Sequence, residues 1–403
     1  MFDRVRGVAG AEKASPEWET RTNDTSIPSS FRSKLPNEEF TVARLLQSRV
    51  HLPRDRDFAS VSRNPTPSVS TQAPTMSDLD AYRAPIPKDR KYIAALRDVV
   101  NQRDVGGRSF PSPFSSKHRL PLWLANYWAT VVSMRDVIRA YEVAAGWLDT
   151  HRRELSGGLA DHLQNVWEQS SWHNLREQLP EAVGDAYVPD AERLLDLLSD
   201  TAWMQDDVLD LMMRRLAMKV EGDPNVRVLL RTLRFWRELG GLYASNGGFN
   251  ETLYPNLTEA VIAARQGIEI AFIVSDEDEN NVMGSHWTAC VLDVRHRTYR
   301  FGDSLDMDPP PALQPCLENW LYSVGLLPPG EPLRRDRDLE HRIQADASSC
   351  GFIAVNMLEH YVLPDQMIWT PHANAHLRVA KYIELMAYNP NMRMVGSCCA
   401  LLS

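Results

Sequence analysis

Gln344-Ala-Asp-Ala-Ser-Ser-Cys350-Gly351-Phe-Ile-Ala-Val-Asn-Met-Leu-Glu-His-Tyr361 divides in two at its cysteine. Up to Cys350 the residues are small and polar, the composition of a loop. Beyond it Ile353, Met357 and Tyr361 recur at helical spacing, with Ala354 and Leu358 widening the apolar stripe. The pattern places Cys350 at the mouth of a helix whose far side is buried. There the free N–H groups and the positive end of the helix dipole stabilise negative charge on a sulfur. Gly351 is expected to leave room beside that sulfur for a substrate backbone. Most free cysteines are small core hydrophobes, so the chemical reading needs a base.

A base stands upstream. Ile268-Glu-Ile-Ala-Phe-Ile-Val274 reads as a strand, 275–284 as an acidic loop, and Ser285-His286-Trp287-Thr-Ala-Cys-Val-Leu-Asp-Val294 as a second strand apolar on both faces. Arg295-His-Arg297 turns the chain into a third strand, Thr298-Tyr-Arg-Phe301, which ends at Gly302-Asp303-Ser304-Leu305. Antiparallel pairing brings His286 and Asp303 to one edge of the sheet. A carboxylate there can accept the Nδ1 hydrogen bond of an imidazole and fix its tautomer. The other nitrogen is then free to take a proton from a thiol. The Gln344 side chain and the backbone N–H of Cys350 could both donate to a developing oxyanion.

His286-Trp287, Asp303-Ser304-Leu305, Gln344 and Cys350-Gly351, taken together, resemble the SUMO (ubiquitin-like protein) cysteine proteases, in which His, Asp, Gln and Cys follow in that order. The gaps match as well: sixteen residues, then forty, then five. Thr201-Ala-Trp203-Met-Gln-Asp206-Asp207-Val-Leu209 resembles the family's Trp-Leu-Asn-Asp segment, which precedes its first long helix. The resemblance runs roughly from Asp190 to Ser403. It implies an α+β, papain-related fold with a central, mostly antiparallel sheet and a buried helix carrying the nucleophile. It also implies roles: Cys350 the nucleophile, His286 the general base and acid, Asp303 its orienter, Gln344 an oxyanion donor. Trp203 and Trp287 match two indoles that close over the modifier's C-terminal Gly-Gly, flat walls that exclude any Cβ. Asp206 matches a carboxylate that pairs with a basic residue of the modifier. The implied partner is a SUMO-like or other ubiquitin-like modifier and its conjugates; no cofactor or metal is implied. Ser349 departs from the pattern, standing where many members carry Asp.

The remaining chain bounds this reading. With 403 residues, 43% of them hydrophobic, two domains and a sizeable core are expected. Against 53 acidic residues stand 44 basic ones, a balance with no general pull toward nucleic acid. No apolar run approaches a membrane span, and Met1-Phe-Asp-Arg-Val-Arg lacks the apolar stretch of a signal peptide. Cys290, Cys316, Cys350, Cys398 and Cys399 form neither paired metal spacing nor an even framework. Reduced thiols in cytosol or nucleus are therefore expected. His372 and His376 lie one helical turn apart but lack the glutamate of a zinc-peptidase helix.

Residues 1-80 are rich in Ser, Pro and Arg and read as a disordered arm. Residues 81-190 read as a helical, Trp-rich accessory domain with an unknown partner. Its helices are expected at Tyr92–Val100, Leu122 to about Arg153, and Leu159–Trp167. Trp123, Trp128, Trp147, Trp167 and Trp172 crowd this stretch and read as core rather than as a docking groove. Residues 191-403 form the protease-like domain. Helices are expected there at Asp207–Val220, Val226–Leu239, Leu313–Val324 and Ala373–Met386, with loops at Gly240–Asn256 and Pro328–Asp338. The function expected is a cysteine peptidase or isopeptidase cutting after Gly-Gly. Two alternatives use the same residues differently: an acyltransferase on this fold, or a catalytically silent scaffold that only binds a modifier. Incubation with acyl-CoA tests the first, and retention of all four polar residues argues against the second.

Overall fold

The structure is a computed structural model, and it describes residues 25–32, 35, 40–47, 55–57, 66–74, 86–102, 107–115, 117–170, 191–245, 248–276, 286–328 and 330–388. The acidic stretch 277–285, Trp172, Cys398 and Cys399 lie outside these residues, as does much of 1-80. The chain divides into two compact units, 1–140 and 141–403, and the division falls inside a helix. The boundary expected near residue 190 lies at the end of a stretch outside the described residues.

In the first unit, helix α1 (Arg90–Asn101) begins where Asp89 accepts the backbone N–H of Tyr92 at 3.0 Å. It buries Tyr92, Ile93, Leu96 and Val100, an i, i+3/i+4 face. A short antiparallel pair, β1 (Ser109–Pro111) and β2 (Arg119–Pro121), leads into the long helix α2 (Trp123–His151). Trp128 meets Phe110 and Phe114 edge-on, and Trp123 packs on Phe31 and Tyr127. Trp123, Trp128, Trp147 and Trp167 are all buried, as the core reading of the tryptophans required. The buried stripe of α2 runs through Met134, Val137 and Ala144, while Arg135, Ile138 and Ala145 beside it are half-buried.

The second unit contains α3 (Leu159–Gln169), α4 (Asp206–Val220), β3 (Val228–Leu230), α5 (Leu233–Ser245) and α6 (Pro255–Arg265). The strands β4 (Glu269–Asp276), β5 (His286–Asp293) and β6 (Thr298–Gly302) follow, then α7 (Leu313–Ser323), β7 (Arg334–Arg335), α8 (Cys350–Val362) and α9 (Asn374–Tyr388). The sheet order is β3-β4-β5-β6-β7. The three central strands are antiparallel and the two edge strands run parallel to their neighbours, so the sheet is mixed.

Three expectations need correcting. Val226–Leu239 was expected as one helix, but Val228–Leu230 is a strand paired with β4, and only Leu233 onward is helical. Gly222 and Pro224 stop α4, and the open edge of β4 captures the short apolar run that follows. Gly240–Asn256 is not all loop, since α5 continues to Ser245 and α6 starts at Pro255. Glu238 of α5 accepts the N–H groups of Asn256 and Leu257, a cap supplied from a different helix. Pro328–Asp338 contains the edge strand β7.

Ile270, Phe272, Val274, Cys290, Leu292 and Phe301 face one way and form a core with α5, α6 and α7. The opposite face receives α8, which is buried along nearly its whole length. A Cβ at Gly302 would collide with Met357 of α8 and Leu339, so glycine there sets how closely this helix lies on the sheet. Among the described residues, no helix is long and apolar enough to cross a membrane.

Candidate active site

Ala289 pairs with Gly302, so the continued register sets Asp303 opposite Thr288, two residues along from His286. That diagonal brings ring and carboxylate together: His286 Nε2 lies 2.7 Å from Asp303 Oδ1. The contact is made through Nε2, not through Nδ1 as the sequence reading supposed. The same Asp303 oxygen accepts the backbone N–H of Leu305 at 2.7 Å, within a turn closed by Asp306 N–H on the Asp303 carbonyl. Asp306 takes a left-handed φ of 59°, a conformation that Asp tolerates better than most residues.

Cys350 begins α8, as predicted, and its side chain is among the groups that act electrostatically on His286. With Nε2 on Asp303, Nδ1 is the nitrogen left for the sulfur. Burial drives the His286 pKa down, but bonds and charges from Asp303 and Cys350 outweigh it and push the value up to about 9. An imidazolium is thus held between a carboxylate and the sulfur. Cys350 itself is 2% exposed.

Gln344 is also in place. Its backbone N–H reaches the Ser304 carbonyl at 2.9 Å, tying the loop before Cys350 to the turn after Asp303. Its side-chain oxygen accepts from Ser304 Oγ at 2.6 Å, and its amide nitrogen donates to the Asp346 carbonyl at 2.9 Å. A carbonyl can only accept, which fixes the amide's orientation and leaves its second N–H available.

The expected substrate-side residues have the following surroundings. The space that Gly351 leaves open is filled by the protein itself: a Cβ there would lie 3.0 to 3.2 Å from Met204, Trp287 and Leu209. The glycine therefore lets α8 dock closely against these three side chains. Trp287 is 4% exposed, held against Gly351, while Trp203 is half-buried in the loop before α4. Asp206, at the start of α4, forms an ion pair with Arg237 of α5.

Sequence reasoning passed over Asp346 and Arg378. Asp346 accepts the N–H groups of Ser348 and Ser349 at 2.8 and 2.7 Å. Arg378 falls between Ala375 and Tyr382 on the buried face of α9, so a cation on an apolar stripe was the signal available. Among the described residues, no group of three or more His, Cys, Asp or Glu could hold a metal ion.

No family model matches the chain, and no curated protein matches it. Among solved structures, the C-terminal part of the chain is similar to SUMO protease catalytic domains. One is the SUMO protease Ulp1 with its catalytic cysteine oxidised to a sulfenic acid: 14% identity, 57% of this chain and 94% of that one, TM-score 0.40. A second is the C-terminal Ulp1 protease domain in complex with Smt3, the yeast ortholog of SUMO: 14% identity, 57% and 96%, TM-score 0.37. A third is the Ulp1-like SUMO protease catalytic domain of Chaetomium thermophilum: 16% identity, 58% and 90%, TM-score 0.36.

Proposed function

We propose that this chain is a cysteine peptidase or isopeptidase that cuts after the C-terminal Gly-Gly of a SUMO-like modifier, in precursors or in conjugates. The observation that carries the reading is the 2.7 Å bond from Asp303 to His286, with Cys350 at the start of α8 acting on the same imidazole. Its chemistry is acyl transfer. The Cys350 thiolate attacks the glycine carbonyl, and charge develops on the carbonyl oxygen. The second Gln344 side-chain N–H and the Cys350 backbone N–H, one of those at a helix start without an intrahelical partner, would receive that charge. The C–N bond breaks as imidazolium His286 gives its proton to the leaving amine, and a thioester remains on Cys350. Water then attacks the thioester, His286 takes its proton, and the thiolate leaves.

Selection for glycine is part of the proposal. A nucleophile 2% exposed beside a buried Trp287 suits a substrate tail without side chains. Trp203 is read as the second wall, and Asp206 with Arg237 as a charged rim facing the modifier. Residues 1-190 are read as an arm and a helical accessory region that carry the catalytic part to its partners, within the nucleus or cytoplasm.

A panel of modifier-Gly-Gly fluorogenic substrates, run on wild type and Cys350→Ala, tests the reading. Wild type should release the fluorophore from at least one member, and the alanine variant should lose several powers of ten in rate. Undiminished cleavage by Cys350→Ala would sink it.

A further inference from the structure

Directly behind the nucleophile lies a fully buried cation. Arg378 of α9 is 0% exposed, and its Nη2 donates at 2.8 Å to Ser349 Oγ, not to a carboxylate. Ser349 Oγ in turn donates to Asp346 Oδ2 at 2.6 Å. The other carboxylate oxygen of Asp346 holds the backbone N–H groups of Ser348 and Ser349, the last turn before Cys350. The rest of the guanidinium is also engaged. Nε donates to Asn374 Oδ1 at 2.9 Å, and Nη1 reaches the carbonyls of Asp196, Leu197 and Ser199 at 3.0 to 3.4 Å. The guanidinium lies 5.5 Å from the ring centre of Phe352, in the first turn of α8.

A buried charge is costly unless opposite charge or strong acceptors surround it. The negative groups acting on Arg378 are Asp346 and Cys350 from the nucleophile loop and helix, and Asp200 and Asp196 from the segment before α4. Those acting on His286 are Asp303 and the same Cys350. The sulfur therefore feels two cations of different kinds. His286 gains and loses a proton during turnover, whereas an arginine keeps its charge throughout.

We propose that Arg378 is a positioning residue for the nucleophile: linked through Ser349 to Asp346, it fixes the turn that presents Cys350 and keeps a permanent positive charge behind the sulfur. This rests on the reading of Cys350 as nucleophile. A purely structural staple between α9 and residues 196–199 would share the contacts but not the electrical effect.

Alkylation of Cys350 by iodoacetamide, in which the thiolate sulfur displaces iodide, separates the two without any modifier substrate. The rate is followed against pH on the full chain by mass spectrometry of the Cys350 peptide, for wild type, Ser349→Ala, Arg378→Gln and Arg378→Lys. In Arg378→Gln the acid limb of the rate should move up by about one pH unit or more, and Arg378→Lys should bring it back toward wild type. Ser349→Ala should shift it in the same direction by less, and lower kcat on a cleaved substrate with KM little changed. Unmoved limbs in both Ser349→Ala and Arg378→Gln, with only a lower melting temperature, would overturn the proposal. Should Arg378→Gln not fold, Ser349→Ala decides alone. Cleavage retained by Cys350→Ala is a separate failure, of the nucleophile assignment itself, and would take this proposal with it.

Discussion

The Asp303 carboxylate holds His286 by Nε2 at 2.7 Å, and its same oxygen is fixed by the backbone N–H of Leu305. Swinging the carboxylate away would break both bonds, so Nδ1 stays the ring nitrogen left for the sulfur.

This arrangement predicts a pH dependence. The His286 pKa is raised from its ordinary 6.5 to about 9. Its stabilisation of the fold is complete below about 6.5 and is lost as pH rises through about 9. Cleavage, which needs the imidazolium as proton donor, should fall along an alkaline limb near pH 9. Asp303→Asn removes the charge that contributes to the rise, so that limb should move down by about one to three pH units. Profiles of kcat/KM against pH for both proteins check this. An Asn variant with the wild-type limb would contradict it.

The packing around Gly351 makes a second expectation. Met204, Trp287 and Leu209 leave a Cβ only 3.0 to 3.2 Å of clearance, tight on three sides. Gly351→Ala should cost about 1–3 kcal/mol of stability through overpacking, read from urea melts. Because Trp287 and the Cys350 turn must yield, kcat should fall too. A variant with unaltered melting and activity would show that α8 has slack here.

Behind α8 lies a buried ionic cluster. Lys381 donates to Glu359 at 2.9 and 3.0 Å and to Glu384 at 2.9 Å, and Lys219 bonds the same two carboxylates. Lys381→Met leaves those carboxylates half-compensated and should destabilise by about 3–5 kcal/mol. Burial alone would raise the Glu384 pKa, but Lys381 and Lys219 outweigh it and hold the value below the ordinary 4.5. That contribution is present above about 4.5 and lost as pH falls through the lowered value. Chemical denaturation at pH 7 and at pH 3 should accordingly show a smaller difference between the two proteins in acid.

The extent of the second compact unit can be measured. Trp167 Nε1 donates to the Tyr382 hydroxyl at 3.2 Å, and Tyr141 meets the Trp167 ring edge-on, so α3 closes over α9. Trp167→Ala in the full chain should lose about 3–5 kcal/mol. A fragment 191–403 lacks this cover and should melt well below a fragment 141–403. Equal melting temperatures would mean that α3 is dispensable.

Much of this fold could be read in advance where residues are buried on both sides. Ile270 to Val274 and Trp287 to Leu292 are apolar at every position or nearly so, a pattern few surface elements share. The positions of His286 at a strand start, Asp303 just past a strand end and Cys350 at a helix start could be placed because such junctions show in the periodicity, whereas Gln344 lies in the loop and was singled out by its distance from Cys350. What escaped depended on distant partners. Val228–Leu230 is too short for helix and strand periods to differ, and only the edge of β4 decides between them. The start of α6 is capped by Glu238, seventeen residues before Pro255. Which nitrogen of His286 meets Asp303 is a rotamer choice, and the neighbours of Gly351 come from two other parts of the chain.

The outermost strand of the sheet, β7, is only two residues long, and both are exposed arginines. A foreign chain seeking to extend the ladder there would find almost no backbone to grip and would have to strip water from guanidinium groups. By the same physics, this margin offers a second copy of the chain little purchase for lengthening the sheet.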